Sequence, residues 1–129
     1  MVDIGLRVVS GVVLLVLLHQ MYVPELGGRR HRAGGVIAMF WGVVLMVLVA
    51  IRGAQQESFS ALYITHLVVG GIFFLCLFAT GFLGWKLHQS NQMKTTSLFL
   101  PLGHWLAAKG TFYALLATLL LGVSSKMLH

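Results

Sequence analysis

Six histidines stand in a chain of 129 residues that carries only three Asp and Glu side chains. Imidazole is the commonest metal ligand and can hydrogen-bond at both ring nitrogens. In apolar surroundings it therefore offers either metal ligation or a polar tie between helices. His31, His66 and His104 share a local pattern: four residues on come Gly35, Gly70 and Ala108. Positions i and i+4 lie on one helix face, so each of these imidazoles has a low shelf beside it. A flat macrocycle held by an axial imidazole needs that clearance. His19 is followed at the same spacing by Val23 and His88 by Gln92. His19 reads as a packed polar residue, His88 as interfacial and His129 as part of a tail.

Other chemistries have weaker support. Structural zinc needs closely grouped Cys and His, whereas the single Cys76 lies alone in an apolar run. It can form no intramolecular disulfide, and the sequence has no CxxCH motif for covalent haem attachment. The six methionines are scattered at spacings ordinary for apolar helices, which gives little support to a copper relay. No nucleophile–base pair and no pair of intramembrane carboxylates is present for hydrolysis or proton pumping. Lys109, five residues past His104, either snorkels to an interface or pairs with an acidic cofactor group or a quinone oxygen.

The elements that position these residues are set by composition. The chain is 58% hydrophobic and 9% charged, with a mean hydropathy of +0.90, too little charge to cover a soluble domain of this size. A bilayer core about 30 Å thick needs about 20 apolar helical residues, and the sequence offers four such stretches, near residues 4–23, 31–52, 59–85 and 98–123. Together they make residues 1–129 a single four-span transmembrane domain. The first stretch has no small-residue cleavage site after it and reads as a retained span. Loops at 24–30, 53–58 and 86–97 are short enough to hold neighbouring spans antiparallel, which gives an all-α, up-down-up-down bundle. Gly34, Ala38 and Gly42 recur at four-residue intervals and suit close helix contact.

The net charge of +6 sits in short loops between apolar spans, which points to anionic lipid headgroups rather than nucleic acid. Arg29, Arg30, Arg32, Lys86 and Lys94 lie on one face, against Arg7, Arg52 and Lys126 on the other. The positive-inside rule then places loops 24–30 and 86–97 in the cytoplasm and both termini outside. His31 opens the second span and His104 comes early in the fourth, so both lie toward the basic face. These spans are diagonal in such a bundle, and their imidazoles can flank a macrocycle in its core. His66 lies toward the opposite face, where a first-span partner would fall within residues 1–10, which contain no His.

Three stretches resemble the four-helix haem-binding core of the cytochrome b561 family. They are Arg29-Arg30-His31; Thr65-His66-Leu67-Val68-Val69-Gly70 with Gly81-Phe82-Leu83-Gly84; and Leu100-Pro101-Leu102-Gly103-His104 with Gly110, Tyr113 and Leu121-Gly122. The likeness covers roughly residues 29–126. It implies a transmembrane oxidoreductase-like electron carrier with haem b near each face, drawing electrons from a quinol or an ascorbate-like donor. Carried over by position, His31 and His104 are the axial ligands of the cytoplasmic-side haem and His66 is one ligand of the second. Arg29 and Arg30 would be contacts for an anionic donor.

Two readings remain open at this stage. In the first, the chain is a b-type cytochrome that moves electrons within or across a membrane through bis-histidine haem b, one haem or two, as a small subunit alongside other redox subunits. In the second, it is a membrane anchor or assembly subunit whose histidines only tie helices together.

Overall fold

A computed structural model describes residues 2–22, 29–58, 60–93 and 99–127. The described residues form helices and their connecting turn: α1 (Val2–Tyr22), α2 (Arg29–Ala54), α3 (Ala61–Gln92) and α4 (Phe99–Met127). Helices α2, α3 and the Phe99–Ser124 part of α4 are each long and apolar enough to cross a membrane, and α1 has 21 residues.

Local chemistry fixes the helix ends. Ser60 caps α3, its hydroxyl accepting from the Tyr63 N–H at 3.2 Å, which satisfies one of the amides that a helix start leaves without a partner. Pro101 sits in the first turn of α4, where its missing N–H costs nothing. At the end of α2, Gln55 and Gln56 donate back to the Arg52 and Gly53 carbonyls at 3.2 Å.

Three expected boundaries are corrected. The polar stretch placed in a loop at 86–97 is helical as far as Gln92. No Gly or Pro stands between Trp85 and Gln92 to stop α3, and Lys, Leu and Gln are good helix formers, so the helix continues beyond its apolar run. Likewise α4 runs to Met127 rather than ending at Val123, and Arg29 and Arg30, assigned to the first loop, already belong to α2. The rest of that loop (24–28), together with Lys94 and His129, lies outside the described residues.

The helices form a square in which α3–α4 and α1–α2 are the closest-packed pairs, joined by α2–α3 and α1–α4 contacts. Backbone contact is absent between α2 and α4 and between α1 and α3 among the described residues, so these pairs are diagonal. The core comprises Val9, Val13, Leu17, Ala38, Leu45, Phe73, Leu77 and Leu115. Close approach between α2 and α3 depends on Gly42, where a Cβ would run into Leu77, and on Gly81, where it would meet the Met39 sulfur. Between α3 and α4, buried Thr111 donates to the Ala107 carbonyl at 2.8 Å and meets the Thr80 hydroxyl at 3.1 Å. The outer faces carry exposed Phe40, Leu75, Phe82, Leu106 and Leu120, an apolar exterior that suits lipid rather than water.

Candidate haem site

His31 is the third residue of α2 and His104 the sixth of α4, and the diagonal square turns both into the bundle at one end. Their ring centroids are 6.1 Å apart and their planes 81° apart. Two metal–nitrogen bonds of about 2 Å, plus about 1 Å from each nitrogen to its ring centroid, separate bis-ligating imidazoles by about 6 Å. The observed spacing fits one metal atom between the rings.

No protein-family model, curated protein or solved structure matches this chain.

His104 is held from behind. Its Nδ1 lies 3.0 Å from the Thr80 carbonyl and donates to it, while Thr80 Oγ1 donates to the Cys76 carbonyl at 2.7 Å. A ring fixed through Nδ1 has its tautomer set and presents Nε2 as the free acceptor, the usual arrangement of a metal-bound histidine. Gly84 makes the position possible, since a Cβ there would stand 2.9 Å from His104 Cε1. His31 has no such anchor: its Nδ1 is buried and unpartnered. Beside it, space around Gly35 is open, with nothing within 4 Å of where a Cβ would stand.

Gln20 of α1 completes the constellation. Its carboxamide packs against Gly34, where a Cβ would collide with it, and both its Nε2 and Oε1 are buried without a partner. An unsatisfied buried polar atom costs about 1–3 kcal/mol. Three such atoms, on Gln20 and His31, lie at one end of the bundle, and of these the Gln20 Nε2 is a donor that an acidic substituent of a bound group would accept from. The donors present, two facing imidazoles with a carboxamide alongside, fit a haem. Further out, Arg32 Nη1 lies 2.8 Å from Nε2 and 3.0 Å from Nδ1 of His88, donating to that ring, so His88 is engaged at the rim. His19 is exposed and lines an outer groove with Leu15, Arg30 and Ile37. Lys109 directs its Nζ over the Trp105 ring at 4.5 Å, a cation–π contact one turn back toward the His104 end.

His66 lies at the other end. Eighteen residues of helix separate His104 from Gly122, where a Cβ would stand 3.2 Å from His66 Cε1, so the two imidazoles lie about 27 Å apart along the axis, and the His66 Nδ1 is buried without a partner. A cleft of about 1190 Å³ opens there, lined by residues of all four helices. Thus His31 and His104 come together as expected and His66 stands apart. The low shelves that drew attention to these histidines lie on their own helices, yet the glycines that meet the His104 and His66 rings come from the facing helix, at Gly84 and Gly122. Thr80, Gly84, Gln20 and Thr118 were not singled out as site residues from spacing. A signal was present, however: Thr80-x-x-x-Gly84 recurs as Thr118-x-x-x-Gly122.

Proposed function

We propose that this chain is a multi-pass membrane b-type cytochrome that carries electrons through a haem b ligated by His31 and His104. The observation that carries the reading is the 6.1 Å separation of the two imidazoles across diagonal helices. Haem supplies a one-electron redox centre when bound. The protein's part is to hold both imidazoles, fix the His104 tautomer through Thr80, exclude water with the apolar bundle and offer Gln20 to the macrocycle's polar edge. His31 and His104 would hold the group between them, and a centre held by two imidazoles would supply electron transfer rather than oxygen chemistry.

All four helices span the bilayer in this reading. The Lys and Arg asymmetry puts the connections after α1 and after α3 in the cytoplasm and the termini outside, and the ligand positions are those that the resemblance to the cytochrome b561 family implies. Electrons come from a quinol or an ascorbate-like donor, lipid surrounds the bundle, and other membrane or redox subunits are partners. An anchor subunit without a cofactor would explain the His104–Thr80 bond as a tie between helices. It would leave the buried Gln20 Nε2 donor without an acceptor, and that disfavours it.

A visible spectrum of the purified protein is the test. Reduction with dithionite should sharpen the alpha band of a low-spin b cytochrome, and acidified acetone should extract the haem. A colourless, well-folded preparation from haem-replete cells would overturn the reading in favour of the anchor subunit.

A further inference from the structure

The cleft around His66 is built differently from the His31–His104 site. Among the described residues no second imidazole lines it. The His66 Nδ1 is buried without a hydrogen-bond partner, whereas the His104 Nδ1 is tied to the Thr80 carbonyl. What the cleft has instead is a grading of polarity along the bundle axis. Its outer end carries Asp3, Arg7, Arg52, Gln56 and Tyr63, and its inner end is walled by Leu45, Phe73, Phe74 and Leu115. Between Ser60 and Phe74, both on the lining, the chain advances fourteen residues, about 21 Å of helix. Half of a bilayer about 40–45 Å thick with its headgroups has that same length. The volume of about 1190 Å³ exceeds the roughly 300–1,000 Å³ of most small-molecule sites. Length, volume and polarity match one leaflet's lipid.

The cleft also opens sideways. Helices α2 and α3 touch where Gly42 meets Leu77 and Gly81 meets Met39, toward the His31–His104 end. Nearer His66 the same helices part: Met46, Ala50 and Gly71 line the cleft and are nevertheless exposed. Nothing lies within 4 Å of where a Gly71 Cβ would stand. In a bilayer this opening faces acyl chains. At the outer end Arg7 makes no ion pair among the described residues, and Arg52 is held by Asp3 at 3.2 Å. A guanidinium has five donors, so Arg52 can keep Asp3 and still bind a second anion. Glu57 is exposed and off the lining, so two guanidiniums stand against one carboxylate at the mouth.

We propose that this cleft binds one anionic phospholipid, its phosphate held by Arg7 and Arg52 and an acyl chain laid along the apolar inner walls. Charge-assisted hydrogen bonds from guanidinium to phosphate are among the strong ones, and they fix the headgroup where the two arginines converge. The chain enters through the opening between α2 and α3 and covers walls that the helices leave apart at this end. The inference is independent of the haem reading, because it uses neither His31 nor His104.

The test uses the full-length protein, freed of endogenous lipid in mild detergent and offered palmitoyl-oleoyl phosphatidylglycerol or phosphatidylcholine, with bound lipid counted by native mass spectrometry. One phosphatidylglycerol per chain should be retained, and phosphatidylcholine, whose headgroup has no net charge, should bind more weakly. Arg7→Gln and Arg52→Gln should each weaken phosphatidylglycerol binding about fivefold. Gly71→Phe should remove the lipid by placing a ring in the opening. Gly11→Phe, off the lining and with an equally open Cβ position, should keep it, and helical circular dichroism reports that each variant is folded. Equal affinity for the two lipids, unchanged in both arginine variants, would overturn the anionic headgroup. Retention unchanged in Gly71→Phe would put the lipid on the outer surface and overturn the cleft. Displacement of the lipid by an equal concentration of inorganic phosphate would reveal a site for free phosphate and overturn the role of the acyl chain. A haem found in place of the lipid, and lost in His66→Ala, would overturn the proposal outright. A colourless protein that keeps the lipid with these dependences would support it and overturn the haem reading.

Discussion

Replacing Gly84 with Ala should weaken haem binding far more than it weakens the fold. The new Cβ would stand 2.9 Å from His104 Cε1 and 3.3 Å from Nδ1, where ordinary contact begins at 3.4 Å. The ring must therefore retreat by at least half an ångström, and it is tied at 3.0 Å to the Thr80 carbonyl. A retreat away from α3 carries that bond toward the limit of a useful hydrogen bond, about 3.5 Å. The lost bond costs about 1 kcal/mol, while Ala in place of Gly within a helix returns about 1 kcal/mol. The two nearly cancel, so thermal unfolding of the haem-free protein should hardly move. Haem affinity has no such compensation. Outer-shell changes of this kind cost about 10–100-fold, equivalent to about 1.4–2.7 kcal/mol. Titration of the haem-free protein with haem, followed by the low-spin optical spectrum, reads the effect directly. Gly11→Ala is the control, because a Cβ there meets nothing within 4 Å. Affinity within twofold of wild type in Gly84→Ala would show that the Thr80–Gly84 cradle does not position a haem ligand.

Other consequences follow from the packing. Thr111→Val keeps the shape of a fully buried side chain but removes its bonds to Thr80 and Ala107. Interhelical hydrogen bonds in membranes average about 0.6 kcal/mol, so detergent unfolding should show a loss of that order, up to about 1 kcal/mol, and a loss above 3 kcal/mol would contradict a simple bonding role. Gly42→Leu should separate α2 from α3, because its Cβ runs into Leu77. Crosslinking between cysteines introduced on these helices should fall, and unchanged crosslinking would refute the close approach. Reporter fusions at residue 92 and at the C-terminus should report opposite compartments, with residue 92 cytoplasmic. A cytoplasm-only reporter active at the C-terminus would reverse the orientation, and both positions on one side would refute four spans.

Much of the architecture was legible because apolar length is a strong signal: helical stretches of twenty or more residues announce themselves by composition. Helix ends were harder to read. Residues 86–92 are polar yet helical, since a polar composition does not end a helix where no Gly or Pro intervenes. At the candidate site, the juxtaposition of His31 and His104 followed from their depth and from the diagonal placement of alternate helices. The groups behind the ligands did not follow, because Thr80 acts through a backbone carbonyl, which leaves no trace in side-chain type. Gly84 and Gly122 matter through contacts across the α3–α4 interface, so their partners are fixed by register and not by local spacing. Gln20 depends in the same way on how α1 lies against Gly34.

Whether His31 and His104 share one iron is tested most directly by single alanine substitutions read by electron paramagnetic resonance and optical spectroscopy. His31→Ala and His104→Ala should each abolish the low-spin haem signal at the basic end, while His19→Ala, which removes an exposed side chain, should leave it intact. Loss of the low-spin signal in His19→Ala, with His31→Ala unchanged, would show that the iron is bound by a different pair of helices.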